Sequence, residues 1–302
     1  MNADEQDLEL IAESVGDALE EAFELTGTSP VGGGCIHTAL RIDGETSAGK
    51  TSFFAKLNDA GKKALFEAEA DGLAAIAKAD SVRVPKVIAQ GDDGERAWLI
   101  LEWLELAPLD ARSGARLGER LAMQHRAPRD KFGWPRDNFI GSSPQVNGQT
   151  DDWLAFWREK RLLPQLRFAA HHRLPSRMID RGERLVADCE AFFRSYAPAA
   201  SLLHGDLWSG NASALADGTP VLFDPAVYVG DREADVAMTE LFGGFPKEFK
   251  AAYQAAWPLH DGYRARRDLY NLYHVLNHAN LFAGGYVRQA EQATEKLLAE
   301  IR

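Results

Sequence analysis

Leu202-Leu203-His204-Gly205-Asp206-Leu207-Trp208-Ser209-Gly210-Asn211, followed downstream by Val221-Leu222-Phe223-Asp224-Pro225, is the stretch on which the reading of this chain turns. An apolar run ends in His-Gly-Asp, an asparagine follows Asp206 by five residues, and a second apolar run delivers Asp224. Gly, Asp, Ser and Asn cluster in loops for backbone reasons alone, so a plain turn is one reading. The other reading is chemical. Phosphoryl transfer from ATP needs a carboxylate to orient the attacking hydroxyl, and oxygen ligands to hold Mg2+ over the phosphates. Asp206 is then the catalytic base, and Asn211 and Asp224 are the metal ligands. The rest of the chain decides between the two.

Upstream, Pro30-Val31-Gly32-Gly33-Gly34-Cys35-Ile36-His37 leads into an alternating, strand-like run. Without a Cβ, Gly32, Gly33 and Gly34 let backbone N–H groups approach phosphates, or they simply form a hairpin turn. Residues 51–58 read as a strand carrying Lys56. A lysine on a strand is ordinarily a solvated edge charge. Following a Gly-rich hairpin, Lys56 also stands where a kinase keeps its ATP-phosphate lysine, which needs a glutamate on the next helix. Residues 62–79 supply that helix, with Leu65, Phe66, Leu73 and Ile76 as its apolar stripe. Glu69 lies on the stripe, three residues after Phe66 and four before Leu73, whereas Glu67 is turned about 100° from Phe66. A carboxylate on a buried face is costly unless paired, so Glu69 is the expected partner of Lys56, with Glu67 as a substitute.

Strands are expected at 84–91 and 97–104, and a helix with apolar spacing at 5–25 precedes the whole block. Past residue 104 the chain turns mostly helical. Helices are expected at 112–126, 151–171, 177–196, 246–256 and 262–300, with a long Gly-, Pro- and Asn-rich loop at 132–148. Trp153, Phe156, Trp157 and Leu162 read as core. Asp231, Glu233 and Asp235 open a further helix, where negative charge suits the dipole. His274 and His278 stand four apart without the glutamate of a zinc H-E-x-x-H pair, which favours a pocket-lining role over a metal site.

Composition bounds the function classes. The 302 residues are 45% hydrophobic and 26% charged, as in an ordinary water-soluble protein of two packed units. A net charge of -11 argues against nucleic acid as a partner. No apolar run approaches the roughly 20 residues of a membrane span. The acidic start, Met1-Asn2-Ala3-Asp4-Glu5, is unlike a signal peptide, and two cysteines make no disulfide framework, so a cytoplasmic location is expected.

Taken together, the chain resembles the fructosamine kinase (ketosamine-3-kinase) family of the protein-kinase-like fold. The resemblance rests on His204 to Asn211 with its Trp208, on Asp224-Pro225-Ala226, and on Glu240-Leu241-Phe242-Gly243-Gly244-Phe245. Tyr273-His274-Val275-Leu276-Asn277-His278, and Phe66-Glu67-Ala68-Glu69 after Lys56, add to it. It implies an α+β, bilobal fold, with an N-terminal lobe of antiparallel sheet plus helix (1–104) and a mostly helical catalytic and substrate lobe (105–302). It further implies ATP- and Mg2+-dependent phosphorylation of the 3-hydroxyl of ketosamines, free or on glycated proteins, after which the unstable 3-phosphate releases the amine. Asp206 would be the base, Asn211 and Asp224 the metal ligands, and Lys56 with Glu69 the phosphate clamp. Glu102 and Leu104 would bind adenine through their backbones, and Trp208 and His278 would line the ketosamine pocket. The Gly-rich loop departs from the family at Cys35 and His37, and Asp231 stands where a histidine is common. Cys35 is either an unreactive small residue or, among backbone N–H groups, a thiol open to oxidation. Another small-alcohol kinase, of the aminoglycoside or choline type, and a nucleotide-binding regulator without activity are the rival readings.

Overall fold

The computed structural model describes residues 3–32 and 37–301; Gly33, Gly34 and Cys35 lie outside the described residues. Helix α1 (Glu5–Leu19) is opened by Asp4, whose carboxylate accepts from the Asp7 N–H in a capping box. It stops short of the expected residue 25 because Glu20 turns left-handed (φ 56°). The chain then enters β1 (Glu24–Pro30), β2 (Thr38–Thr46) and β3 (Gly49–Asp59). Helix α2 (Lys63–Ala79) follows, and then β4 (Val87–Asp92) and β5 (Arg96–Glu102). These strands form one sheet in the order β1-β2-β3-β5-β4, antiparallel throughout.

Strand parity decides what the sheet presents on each face. On β3, Phe53, Ala55 and Leu57 pack with Trp98 and Ile100 of β5 and with Ile11 and Val15 of α1. Leu99 and Leu101 of β5 point the other way, onto Phe66, Leu73 and Ile76 of α2. Lys56 lies opposite Leu99 in register and shares that second face. A one-residue slip would turn it away from α2.

Beyond β5 the chain is mostly helical. Helix α3 (Ala111–Arg126) is followed by a short hairpin, β6 (Asn138–Ile140) and β7 (Ser143–Gln145), inside the segment expected to be an irregular loop. Helix α4 (Trp153–Phe156) runs through a π-helical turn (Trp157–Leu162) into α5 (Leu163–His171), and α6 (Ser176–Asp188) returns antiparallel strand β8 (Ala200–Leu203) to the centre. The expected helix at 177–196 thus ends early, its last part a 3-10 turn (Cys189–Phe193). Strands β9 (Ala212–Ala214) and β10 (Pro220–Leu222) pair with each other, and β11 (Tyr228–Asp231) pairs with β8.

Helices α7 (Arg232–Leu241), α8 (Lys247–Ala256), α9 (Tyr263–Phe282) and α10 (Gly285–Glu300) complete the chain. The expected helix at 262–300 is broken where Ala283 (φ 52°) and Gly284 (φ 59°) leave helical space. One hydrophobic cluster joins Phe66 and Leu73 of α2 to Leu117 and Leu121 of α3, Leu202 and Leu222, so the sheet-bearing part and the helical part share a core. Among the described residues no helix is long and apolar enough to cross a membrane.

Candidate active site

Lys56 is buried, and its ammonium lies 2.7 and 2.9 Å from the two carboxylate oxygens of Glu69 and 2.5 Å from Oδ1 of Asp224. Helical phase brings Glu69 here, while Glu67 points outward to Lys63 and Arg136. Burial opposes the Lys56 charge, but Glu69 and Asp224 overcome it and raise the pKa above the ordinary lysine value. Burial, reinforced by the Asp224 carboxylate, pushes Glu69 up to about 7 despite Lys56. Desolvation would raise Asp224, yet the Lys56 ammonium holds it below the usual carboxylate range. A single cation thus ties α2 to the end of β10.

Asp224 itself takes a left-handed backbone (φ 54°), which an aspartate tolerates better than a branched side chain and which aims its carboxylate at Lys56.

The turn after β8 carries the other half of the site. Gly205 adopts φ +83°, and a Cβ there would lie 2.0 Å from the Ala226 carbonyl oxygen, so this crossing requires glycine. The Ala226 N–H donates to the His204 carbonyl at 2.8 Å. The His204 ring bridges the same two segments. Nε2–H donates to the Phe223 carbonyl at 3.0 Å, and Nδ1 accepts from the Asp206 N–H at 3.3 Å. Burial lowers its pKa, in keeping with a neutral ring.

Asp206 is half-buried at the cleft, and desolvation plus the nearby Asp224 push its carboxyl up to about 7. Asn211 donates from Nδ2 to the Asp206 carbonyl at 2.9 Å, to its Oδ2 at 3.3 Å and to the Asp224 carbonyl at 3.5 Å. With Nδ2 spent on these carbonyl and carboxylate oxygens, the Asn211 Oδ1 is the amide's remaining acceptor. Hard oxygen donors of this kind suit Mg2+. Among the described residues there is no cluster of three or more His, Cys, Asp or Glu able to hold a metal. A Mg2+ carried on nucleotide phosphates needs only one or two protein oxygens, so the donor set fits it.

Two groups that the sequence did not single out hold this loop. Asp235, expected only to favour a helix dipole, is buried and accepts the N–H groups of His204 (2.7 Å) and Gly205 (2.9 Å). Burial would raise its pKa, but these bonds and His125 hold it below the usual range. His125 lies with Nε2 3.2 Å from Asp235 and Nδ1 2.9 Å from the Tyr253 hydroxyl. Because a carboxylate only accepts, Nε2 carries the proton and Nδ1 takes the Tyr253 hydrogen. Asp231 and Glu233 are likewise buried, the first bonded to the hydroxyls of Tyr196 and Tyr270, the second paired with Arg266.

The second group fills the presumed loop. Asn138 donates to the Val227 carbonyl (2.7 Å), and Gln145 donates to the Ala226 carbonyl (3.2 Å) and to Asn138 (2.8 Å). Asn147 bonds Asn138 in turn, and the buried Arg161 guanidinium donates to Asn147 (2.8 Å) while lying 4.0 Å over the Tyr228 ring. This polar network pins the residues directly after Asp224-Pro225. Loop length was its one sequence signal.

Trp208 stands two residues past Asp206 and is 38% exposed. A Cβ on Gly210 would meet its indole at 2.2 Å, so the glycine makes room for the ring to lie back along the loop. Phe242 approaches Trp208 edge-on at 6.4 Å and His278 at 5.2 Å. His278 donates Nδ1–H to the His274 carbonyl at 2.8 Å, which fixes the ring and leaves Nε2 as its second polar atom. His274 is buried and belongs to no metal cluster among the described residues. The Glu102 N–H donates to the Lys86 carbonyl (2.9 Å), and Leu104 lies in the link that follows β5. Gly32 is exposed at the edge of the Gly-rich loop.

A family model described as fructosamine kinase matches residues 8–300. A protein of Synechocystis named as a probable ketoamine kinase is 42% identical over 95% of this chain and 96% of its own. The chloroplastic protein-ribulosamine 3-kinase of Oryza sativa subsp. indica is 40% identical, covering 93% of this chain and 82% of that one. A crystal structure from Haemophilus somnus 129PT, described as a candidate fructosamine-3-kinase, superposes with a TM-score of 0.85 at 28% identity, over 95% of this chain and 96% of that one. The aminoglycoside phosphotransferase APH(2'')-Ib, at 12% identity and a TM-score of 0.65 over 98% and 99% of the two chains, shares the kinase-like fold alone. This chain belongs to the fructosamine kinase family of ATP-dependent phosphotransferases.

Proposed function

We propose that the protein transfers the γ-phosphoryl group of ATP to the 3-hydroxyl of ketosamines, free or on glycated proteins, with ribulosamines, erythrulosamines and fructosamines as the candidate sugars. The observation that carries this reading is the meeting of Lys56, Glu69, Asp206, Asn211 and Asp224 in one place, with Glu69 and Asp224 both bonded to the Lys56 ammonium and Asn211 bonded to Asp206. Residues 1–104 act as the nucleotide-binding lobe and residues 105–302 as the catalytic and substrate lobe. Two cysteines in the whole sequence fit a reducing compartment, the cytoplasm.

Asp206 receives the hydroxyl proton and aligns the oxygen with the phosphorus. A carboxyl near 7 is well matched to that task. Lys56, oriented by Glu69, faces the phosphates, and the carbonyl of Glu102 with the N–H of Leu104 meets adenine. Gly32, with Gly33 and Gly34 outside the described residues, belongs to the Gly-rich segment whose backbone N–H groups would bind the phosphates. Asp224 and Asn211 Oδ1 would hold Mg2+, which when bound neutralises charge on the transferring phosphates. Trp208 offers a flat face to the sugar, and His278 Nε2 accepts from a sugar hydroxyl. Most of the rate gain comes from positioning and electrostatics. The 3-phosphate then decomposes and frees the amine.

The test is ADP formation with ribuloselysine, fructoselysine and an aminoglycoside, with Asp206→Asn as control. Turnover on the ketosamines, lost in the variant, supports the reading. Turnover on the aminoglycoside alone overturns the substrate, and nucleotide binding without turnover on any of them leaves a regulator.

A further inference from the structure

The ring contacts that begin at Trp208 do not stop at His278. His278 meets Phe282 at 5.6 Å and Tyr286 at 5.0 Å, and these two meet each other at 6.3 Å. With the Trp208–Phe242 and Phe242–His278 contacts, five aromatic side chains form one continuous wall from the Asp206 loop to the α9–α10 turn. Trp208 is 38%, Phe242 41% and Phe282 59% exposed, three of the five large exposed hydrophobics among the described residues. Single exposed hydrophobics are ordinary, but a contiguous patch leading out of a site marks a binding surface.

Elsewhere among the described residues arginines and lysines stack over Trp103, Phe156, Tyr196, Tyr228, Tyr253, Trp257, Tyr263 and Tyr273. Among the described residues no such cation lies over Trp208, Phe242, Phe282 or Tyr286. The wall is fixed in place. The His278 ring is held by the His274 carbonyl, and the left-handed pair Ala283-Gly284 sets the turn that presents Phe282 and Tyr286 on either side.

We propose that Phe242, Phe282 and Tyr286 extend the sugar site into a subsite for the amine half of the substrate, holding its ammonium and the hydrocarbon chain or ring attached to it. The inference rests on the ketosamine reading above. In a ketosamine the nitrogen is separated from the 3-hydroxyl by three carbons, so a sugar held with that hydroxyl at Asp206 and its ring against Trp208 carries a secondary ammonium just beyond. Aromatic faces attract such a cation, and the apolar wall buries the chain behind it. The subsite selects amines by apolar and cationic character and leaves sugar choice to Trp208 and His278.

The test compares ribulosamines that share one sugar and differ in the amine: methylamine, Nα-acetyl-lysine and benzylamine. In Phe282→Ala/Tyr286→Ala, the kcat/KM ratio of the benzylamine compound over the methylamine compound should fall about tenfold. Phe282→Leu, which keeps apolar volume and loses the ring face, should lower the same ratio less and guards against loss of folding in the double variant. A ratio unchanged in both variants, with wild type active, overturns the subsite and spares the ketosamine reading. Wild-type protein that phosphorylates no ribulosamine overturns both.

Discussion

The Asp235 carboxylate accepts the backbone N–H of Gly205 at 2.9 Å across thirty residues of sequence, and its other oxygen accepts that of His204 at 2.7 Å. The turn that carries Asp206 is thus held from below by a buried acid on α7, which His125 steadies in turn. Asp235→Asn retains one acceptor and should destabilise the protein by about 1–3 kcal/mol. Asp235→Ala, which leaves two buried backbone N–H groups and the Nε2–H of His125 unpaired, should cost about 3–5 kcal/mol. Urea unfolding measures both. Equal stability of the two variants would show that the hydrogen bonds do not hold the turn.

The Gly205 backbone sets the spacing between the Asp206 turn and the Asp224 segment. Gly205→Ala combines a left-handed φ with a backbone clash against Ala226, and the predicted cost exceeds about 2 kcal/mol. Turnover should fall along with stability, because Ala226 must move and Asp224 lies two residues away. A variant with wild-type unfolding midpoint and turnover would refute this account of the crossing.

Asp206→Asn tests the base directly. The amide keeps the shape and the Asn211 contact but takes no proton, so turnover is expected to drop by about 10²–10⁴. Nucleotide affinity, read by equilibrium titration, should stay within a few-fold. Loss of nucleotide binding would instead assign Asp206 to the metal or to folding.

His274 gives the protein a pH dependence of its own. Burial, helped by His278 and Arg161 against Asp235, pushes its pKa down to about 3 from an ordinary 6.5. Between those values the unfolded chain binds a proton that the folded protein excludes, so stability rises with pH across this window and is lost as pH falls below about 6.5. By pH 4.5 the loss from this one group is roughly 2–3 kcal/mol. His274→Gln should flatten the stability–pH slope between pH 6.5 and 4.5 relative to wild type. Parallel curves would mean that His274 is protonated without penalty in the folded state.

Sequence patterns sufficed wherever a short-range rule operates. Strand parity and helical phase brought Lys56 and Glu69 to one face, and the spacing in Asp206-x4-Asn211, with an apolar run delivering Asp224, set the order of the carboxylates and amide. Periodicity marked the buried Trp153, Phe156 and Trp157, and the run of sheet then helices marked the fold class. Tertiary structure decided the rest. Asp235 looked like a helix-opening charge because local sequence carries no record of the His204–Gly205 backbone lying over it. Asn138, Gln145 and Asn147 looked like loop residues because the same side chains serve turns in water and carbonyl groups in a core. Phe282 and Tyr286 sit on a helix pair whose break at Ala283 places them beside His278, and their shared surface with Trp208 arises only because Phe242, just past α7, packs between Trp208 and His278. Local rules determine conformation and facing, whereas burial and partnership depend on which distant segment arrives, and that is settled by packing.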